Sequence, residues 1–168
     1  MEPMRAISPA ALTGNTFRLI GTDWMLVTAG AKNSFNTMTA SWGGLGFLWN
    51  RNVSFIFVRP QRHTYSFLER HDIFTLSFFD ETYRNVLQYC GSKSGKDVDK
   101  VSETKITPAE TGQGGIYFSE ARLMLECRKI YYQDIIPENF LDQKIADNYS
   151  LQDYHRMYIG EIVTCLSR

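Results

Sequence analysis

At least six short apolar runs, each closed by glycine, proline or a polar turn, restrict this chain to a fold built from strands. Residues 24–29 read as a buried strand ending at Gly30. Residues 38–45 read as one glycine-interrupted strand, with the glycines marking a bulge or a close approach by something flat. Residues 53–58 are apolar and aromatic, and Pro60 closes them. Further strands are expected at 73–79, 116–118, 121–136 and 157–166. Helical signals are short. Thr64 is placed to cap a helix running to Arg70. Tyr83, Val86, Leu87 and Cys90 form a helical stripe after Asp80, with Gly91 as its stop. A last short helix is expected over 97–103. Many strands with few helices point to a mainly β fold, a closed antiparallel barrel rather than a βαβ sheet.

With 168 residues the chain is most simply a single domain, 1–168, with 1–15 as an N-terminal arm that Pro3 and Pro9 keep from forming a long helix. Aromatic residues make up 14%, which suits a β-rich core or stacking surfaces. The formal net charge is zero, which speaks against a nucleic-acid-binding surface, since such surfaces neutralise many phosphates. Cys90, Cys127 and Cys165 form no C-x-x-C pair, no disulfide framework and no metal set. They read as reduced, buried thiols. No signal peptide and no membrane span are evident, so a cytoplasmic protein with no membrane partner is expected.

Two segments carry the chemical signal. Asn36, Thr37, Met38, Thr39, Ala40, Ser41 and Trp42, followed by two glycines, combine hydroxyls with uncovered backbone N–H groups. Arg59, Arg62 and Thr64 put two guanidiniums and a hydroxyl within six residues. A planar, hydrogen-bonding heterocycle bearing a phosphate needs both sets, with arginine meeting the phosphate bidentately and a helix start adding its dipole. An ordinary strand followed by solvated arginines fits the same residues, and Trp42 fits core packing as well as ring contact. Tyr65 reads as a core residue, and His63 and His71 as surface or capping residues. The turn from Gly91 to Lys96 has the composition of a P-loop but is one residue short, ends in Asp97 and follows a helix. It still offers Ser92, Lys93 and open backbone, with Lys100 further on. No G-x-S-x-G, H-E-x-x-H or G-x-G-x-x-G site is present.

These segments resemble the flavin reductase-like family of FMN-binding split barrels, above all its flavoredoxin-type branch. Three more stretches share the resemblance: Cys90 to Lys100, Pro137-Glu138-Asn139-Phe140-Leu141-Asp142, and Tyr154 to Ile162. The resemblance covers residues 24–162. It implies a Greek-key split β-barrel that pairs as a homodimer with the flavin at the subunit interface. It further implies that Asn36–Trp42 line the ring of FMN, or of FAD, and that the Gly91–Lys96 turn closes over the phosphate. His155, five residues before Gly160-Glu161, matches the family histidine beside the nicotinamide, although Asp153-Tyr154 here replaces the family's Gly-Asp. His155 is therefore the candidate catalytic residue, with NAD(P)H as a transient electron donor. Three functions fit the sequence: an NAD(P)H:flavin oxidoreductase, an electron carrier reduced by a partner protein, and a non-redox barrel that serves as a binding module.

Overall fold

The computed structural model describes residues 2–168; Met1, the first residue of the expected arm, lies outside the described residues. The chain runs through β1 (Arg5–Ala6), α1 (Thr16–Arg18), β2 (Met25–Ala31), β3 (Ser34–Ala40), β4 (Gly43–Leu48), β5 (Arg51–Val58) and α2 (His63–Arg70). It continues through β6 (Ile73–Phe78), α3 (Arg84–Ser92), α4 (Lys100–Thr104), β7 (Pro108–Glu110), β8 (Ile116–Phe118), β9 (Leu123–Asp134) and β10 (Arg156–Ser167).

Seven strands pair in the order β3-β2-β6-β9-β10-β5-β4, all antiparallel, and β1 adds to β10. The two ends of this path, β3 and β4, are joined by Ser41 and Trp42 alone. Laid flat, the path would hold β3 and β4 about 29 Å apart, whereas three peptide links reach at most about 11 Å. The sheet must therefore roll into a barrel whose seam lies between β3 and β4. From β5 the chain crosses β10 and β9 by way of α2 to reach β6, a Greek-key path. The fold is thus mainly β, as the strand pattern predicts.

Alternation fills the barrel. Met25, Val27 and Ala29 of β2, Ile56 and Val58 of β5, and Phe74, Leu76 and Phe78 of β6 point inward and are buried. Each large one contributes about 1.5–3 kcal/mol. A second apolar layer outside the barrel joins Leu26 to Val86, Leu87 and Cys90 of α3 and Phe118 of β8. That layer explains why β2 is buried on both faces, and it sets the C-terminal end of α3 beside β3. Gly30, at φ +119, makes the sharp end of the β2–β3 hairpin possible, because a Cβ there would lie 2.4 Å from the Ser34 carbonyl oxygen.

Several sequence expectations need correction. Residues 38–45 are two strands on opposite edges, because Ser41 and Trp42 carry the chain across the seam. Gly91 lies inside α3, which ends at Ser92, since its missing side chain lets the helix pack on Thr39. The helix expected over 97–103 is α4, and the Asp99 carboxylate caps it by accepting from the Ser102 N–H at 3.0 Å. Asp80 caps nothing with its side chain. The N-terminal arm is partly tied down, as Arg5 and Ala6 pair with β10. All three cysteines are free and buried. Among the described residues no helix is long and apolar enough to cross a membrane.

Candidate functional site

Pro60 has no N–H to offer a ladder, so β5 stops at Val58 and the chain turns, with the Arg62 N–H donating to the Arg59 carbonyl at 3.0 Å. Arg62 is extended and heads α2, so the helix starts before Thr64, not at it. Thr64 is instead fully buried, and its hydroxyl accepts from Asn36 Nδ2 at 2.7 Å. This bond ties the start of α2 to β3.

Two adjoining cavities open along this junction. The first, about 240 Å³, is lined by Met38 to Trp42, Phe57, Arg59, Arg62, Gly91 and His155. The second, about 170 Å³, is lined by Asn36, Met38, Gln61 to Thr64, Ser92 to Gly95, and Lys100. Met38 and Arg62 belong to both. Arg62 donates from both terminal nitrogens to the Gly91 carbonyl, at 3.0 Å each, which fixes its guanidinium between the cavities.

The second cavity is cationic, and no carboxylate lines it. Lys100, 6% exposed, donates to the Thr37 and Cys90 carbonyls at 2.7 and 2.8 Å. Burial, opposed by Cys90 and aided by Arg62, lowers its pKa to about 8. Arg62 is likewise lowered by burial and by Arg59. His63 is lowered by burial and by Lys96, Arg70 and Lys100. Each group is lowered by a neighbouring cation as well as by burial, the mark of a positive field with no carboxylate in the cavity lining among the described residues. Among the described residues the buried ring nitrogen Nδ1 of His63 has no partner. Gly95 lets the turn press against Asn36, where a Cβ would fall 1.8 Å from Oδ1. Ser92 and Lys93 stand exposed at the rim. An anion with several oxygens fits this donor set.

The first cavity is walled by strand backbone and rings. Thr39 spends its hydroxyl on the Leu87 carbonyl and Ala40 has none, so these two residues present mainly backbone. The Trp42 ring, 46% of that residue being exposed, lies 5.1 Å from the His155 ring. His155 is 8% exposed, and its Nδ1 pairs with the Tyr149 hydroxyl at 2.9 Å. Burial brings its pKa down to about 4, with Arg59 adding to the effect and Asp153 opposing it, so the ring is neutral at pH 7. A flat heterocycle fits these walls.

Two expected residues stand apart from the expected groupings. Thr37 faces neither cavity, because its hydroxyl is bound to Thr28 Oγ1 at 2.9 Å and its carbonyl to Lys100. Arg59 is not beside Arg62 in the cationic cavity. It lines the first one and is held by Asp153 at 2.6 Å and the Asn148 carbonyl at 2.8 Å. His63, expected to be a surface or capping residue, lines the cationic cavity. Sequence reasoning also missed Phe57 and Tyr149. For Phe57 a signal exists: it alternates with the inward Ile56 and Val58 and so faces out of the barrel. For Tyr149, six residues from His155 in irregular chain, no periodic signal exists. The Pro137 to Asp142 stretch supports this region, with the Phe140 ring stacked on Tyr149 at 6.0 Å.

No relative is found among curated protein sequences. Solved structures share the fold. A flavoredoxin from Methanosarcina acetivorans superposes with a TM-score of 0.68 at 20% identity, over 87% of this chain and 68% of that one. An FMN-binding domain of a flavin reductases-like enzyme from Shewanella baltica OS155 gives 0.71 at 17% identity, over 98% and 77%. A Streptomyces globisporus C-1027 NADH:FAD oxidoreductase, in complex with NAD and FAD fragments, gives 0.64 at 16% identity, over 86% and 73%. The family description "Flavin reductase like domain" matches residues 17–167, nearly the whole chain, and the protein belongs to the flavin reductase-like family.

Proposed function

We propose that the protein binds FMN, or FAD in the same orientation, and passes electrons from NAD(P)H through it. The observation that carries this reading is the pair of adjoining cavities that share Arg62, one walled by strand backbone and rings with Arg59 already paired to Asp153, the other lined by Arg62, Lys93 and Lys100. A ring with a phosphate a short chain away needs that pairing. In this reading Arg62, Lys93, Lys100 and Ser92 neutralise and hold the phosphate, Asn36 and Thr64 brace that cavity, and Met38 separates the two ends. Backbone groups of Thr39 to Trp42 meet the ring edge and tune it. Bound flavin supplies the hydride and electron chemistry. Arg59 secures the wall that carries His155, and His155 receives the nicotinamide. Family resemblance supports a homodimer with the flavin at the subunit interface.

The test is direct. Purified protein should bind FMN at micromolar concentration, and NADH or NADPH added without oxygen should bleach it. Protein that binds no flavin would refute the reading. Bound flavin that neither nucleotide reduces would favour an electron carrier served by a partner protein, the reading that the flavoredoxin likeness supports.

A further inference from the structure

We propose that Tyr149 is a positioning residue that fixes His155 with its proton on Nε2, so that the first cavity presents a neutral hydrogen-bond donor and takes its second ligand through a carbonyl or amide oxygen. The ligand half of this proposal rests on the reading of His155 given above; the Tyr149 half does not.

The geometry allows two proton arrangements along the 2.9 Å contact between the Tyr149 hydroxyl and His155 Nδ1. In one, the phenol donates and Nδ1 accepts. In the other, Nδ1–H donates and the phenol oxygen accepts. Tyr149 is 6% exposed, and its hydroxyl has no other hydrogen-bond partner among the described residues. In the second arrangement the phenolic proton is left without a protein acceptor, a loss of about 1–3 kcal/mol for a buried group. The first arrangement satisfies both groups. Nδ1 is then unprotonated, and the single proton of the neutral ring sits on Nε2. Among the described residues that nitrogen has no protein partner, and it is not sealed from the cavity that His155 lines.

Tyr149 is itself held from three sides. Phe140 stacks on it, the Tyr154 ring lies 4.9 Å away, and the Arg59 guanidinium covers its face at 5.1 Å. Asp153 pins Arg59 in that place. The same burial and positive neighbour that hold His155 neutral also oppose a second ring proton.

Long-range 1H–15N NMR on labelled, flavin-free protein reads the tautomer directly. Wild type should show one tautomer with the proton on Nε2, and Tyr149→Phe should show a mixture. A proton on Nδ1 in wild type, or an unchanged single tautomer in Tyr149→Phe, would overturn the role of Tyr149. Anaerobic stopped-flow then tests the ligand half. Tyr149→Phe should slow reduction of bound FMN by NADH about tenfold with FMN affinity unchanged, and the double variant with His155→Ala should be no slower than His155→Ala alone. Losses that multiply would overturn an action of Tyr149 through His155. A His155→Ala protein as fast as wild type, or a wild type that NADH does not reduce, would remove the ligand half while the NMR result still decides the tautomer.

Discussion

The first cavity draws its walls from the seam of the barrel and from side chains anchored by partners behind them, whereas the second draws on helix ends and a Gly/Ser/Lys turn whose cations meet carbonyls but, among the described residues, no carboxylate in the lining. In the first, Arg59 meets Asp153 and His155 meets Tyr149. In the second, burial and neighbouring cations lower Arg62, Lys100 and His63 alike, with Arg59 acting on Arg62, Arg62 on Lys100 and Lys100 on His63, and among the described residues His63 Nδ1 has no partner. Neutral, preorganised walls orient a ring, while unspent positive charge holds an anion. One site thus divides orientation and affinity between two stretches of chain that touch at Arg62.

Removing that contact should have the largest effect. Arg62→Ala should weaken FMN binding by more than a hundredfold, on the order of 3–4 kcal/mol, and riboflavin binding by less than tenfold. Titration by flavin fluorescence decides it, and equal losses would erase the division between the cavities.

The neutrality of the first cavity has a pH signature. His155 titrates near 4 in the folded protein and near 6.5 when unfolded. Between those values the unfolded chain binds more protons. Its contribution is therefore complete above about pH 6.5 and is lost as pH falls toward 4, at most about 3 kcal/mol and less to the extent that solvent screens the ring. Urea melts at pH 7 and 4.5 should show a larger acid loss in wild type than in His155→Gln. Equal losses would mean that burial does not hold His155 neutral.

The turn of the second cavity offers a steric break. Gly95→Ala would drive a Cβ into the Asn36 amide and displace its bond to Thr64. We expect about 2 kcal/mol of destabilisation, from overpacking, by thermal melts. FMN affinity should fall with riboflavin affinity retained. An unchanged melting temperature would show that the turn yields freely.

The smallest effect belongs to the rim. Lys93 is exposed, so Lys93→Ala should cost FMN affinity about threefold, fading as salt rises. A tenfold loss that persists in high salt would move Lys93 from the rim into the wall.

Local pattern made much of the fold legible. β8 occupies 116–118 as expected, and β5 ends just before Pro60, because period-two alternation and proline act within a few residues. The seam was not legible. Nothing in the run from Met38 to Leu45 tells that its halves pair on opposite edges, since pairing is decided by strands far away in sequence. The site divides in the same way. Arg59 and Arg62 look like a matched pair until Asp153, 94 residues beyond Arg59, takes one of them. A lone histidine such as His63 carries no local mark of the charges that the fold gathers around it.

The two-residue link across the seam also governs when the site comes into being. Ser41 and Trp42 keep the ends of β3 and β4 within reach of each other throughout, but the barrel closes at this seam only after the five strands between them have found their partners. Both cavities borrow from β3, from the β5–α2 turn and from the end of α3, so neither exists in a chain whose barrel is still open. Topologies dominated by such distant pairings fold in milliseconds to seconds, slowly for a chain of this size. Ligand capture therefore belongs to the end of folding: bound FMN would act as a clasp on a finished barrel and not as a template for making one.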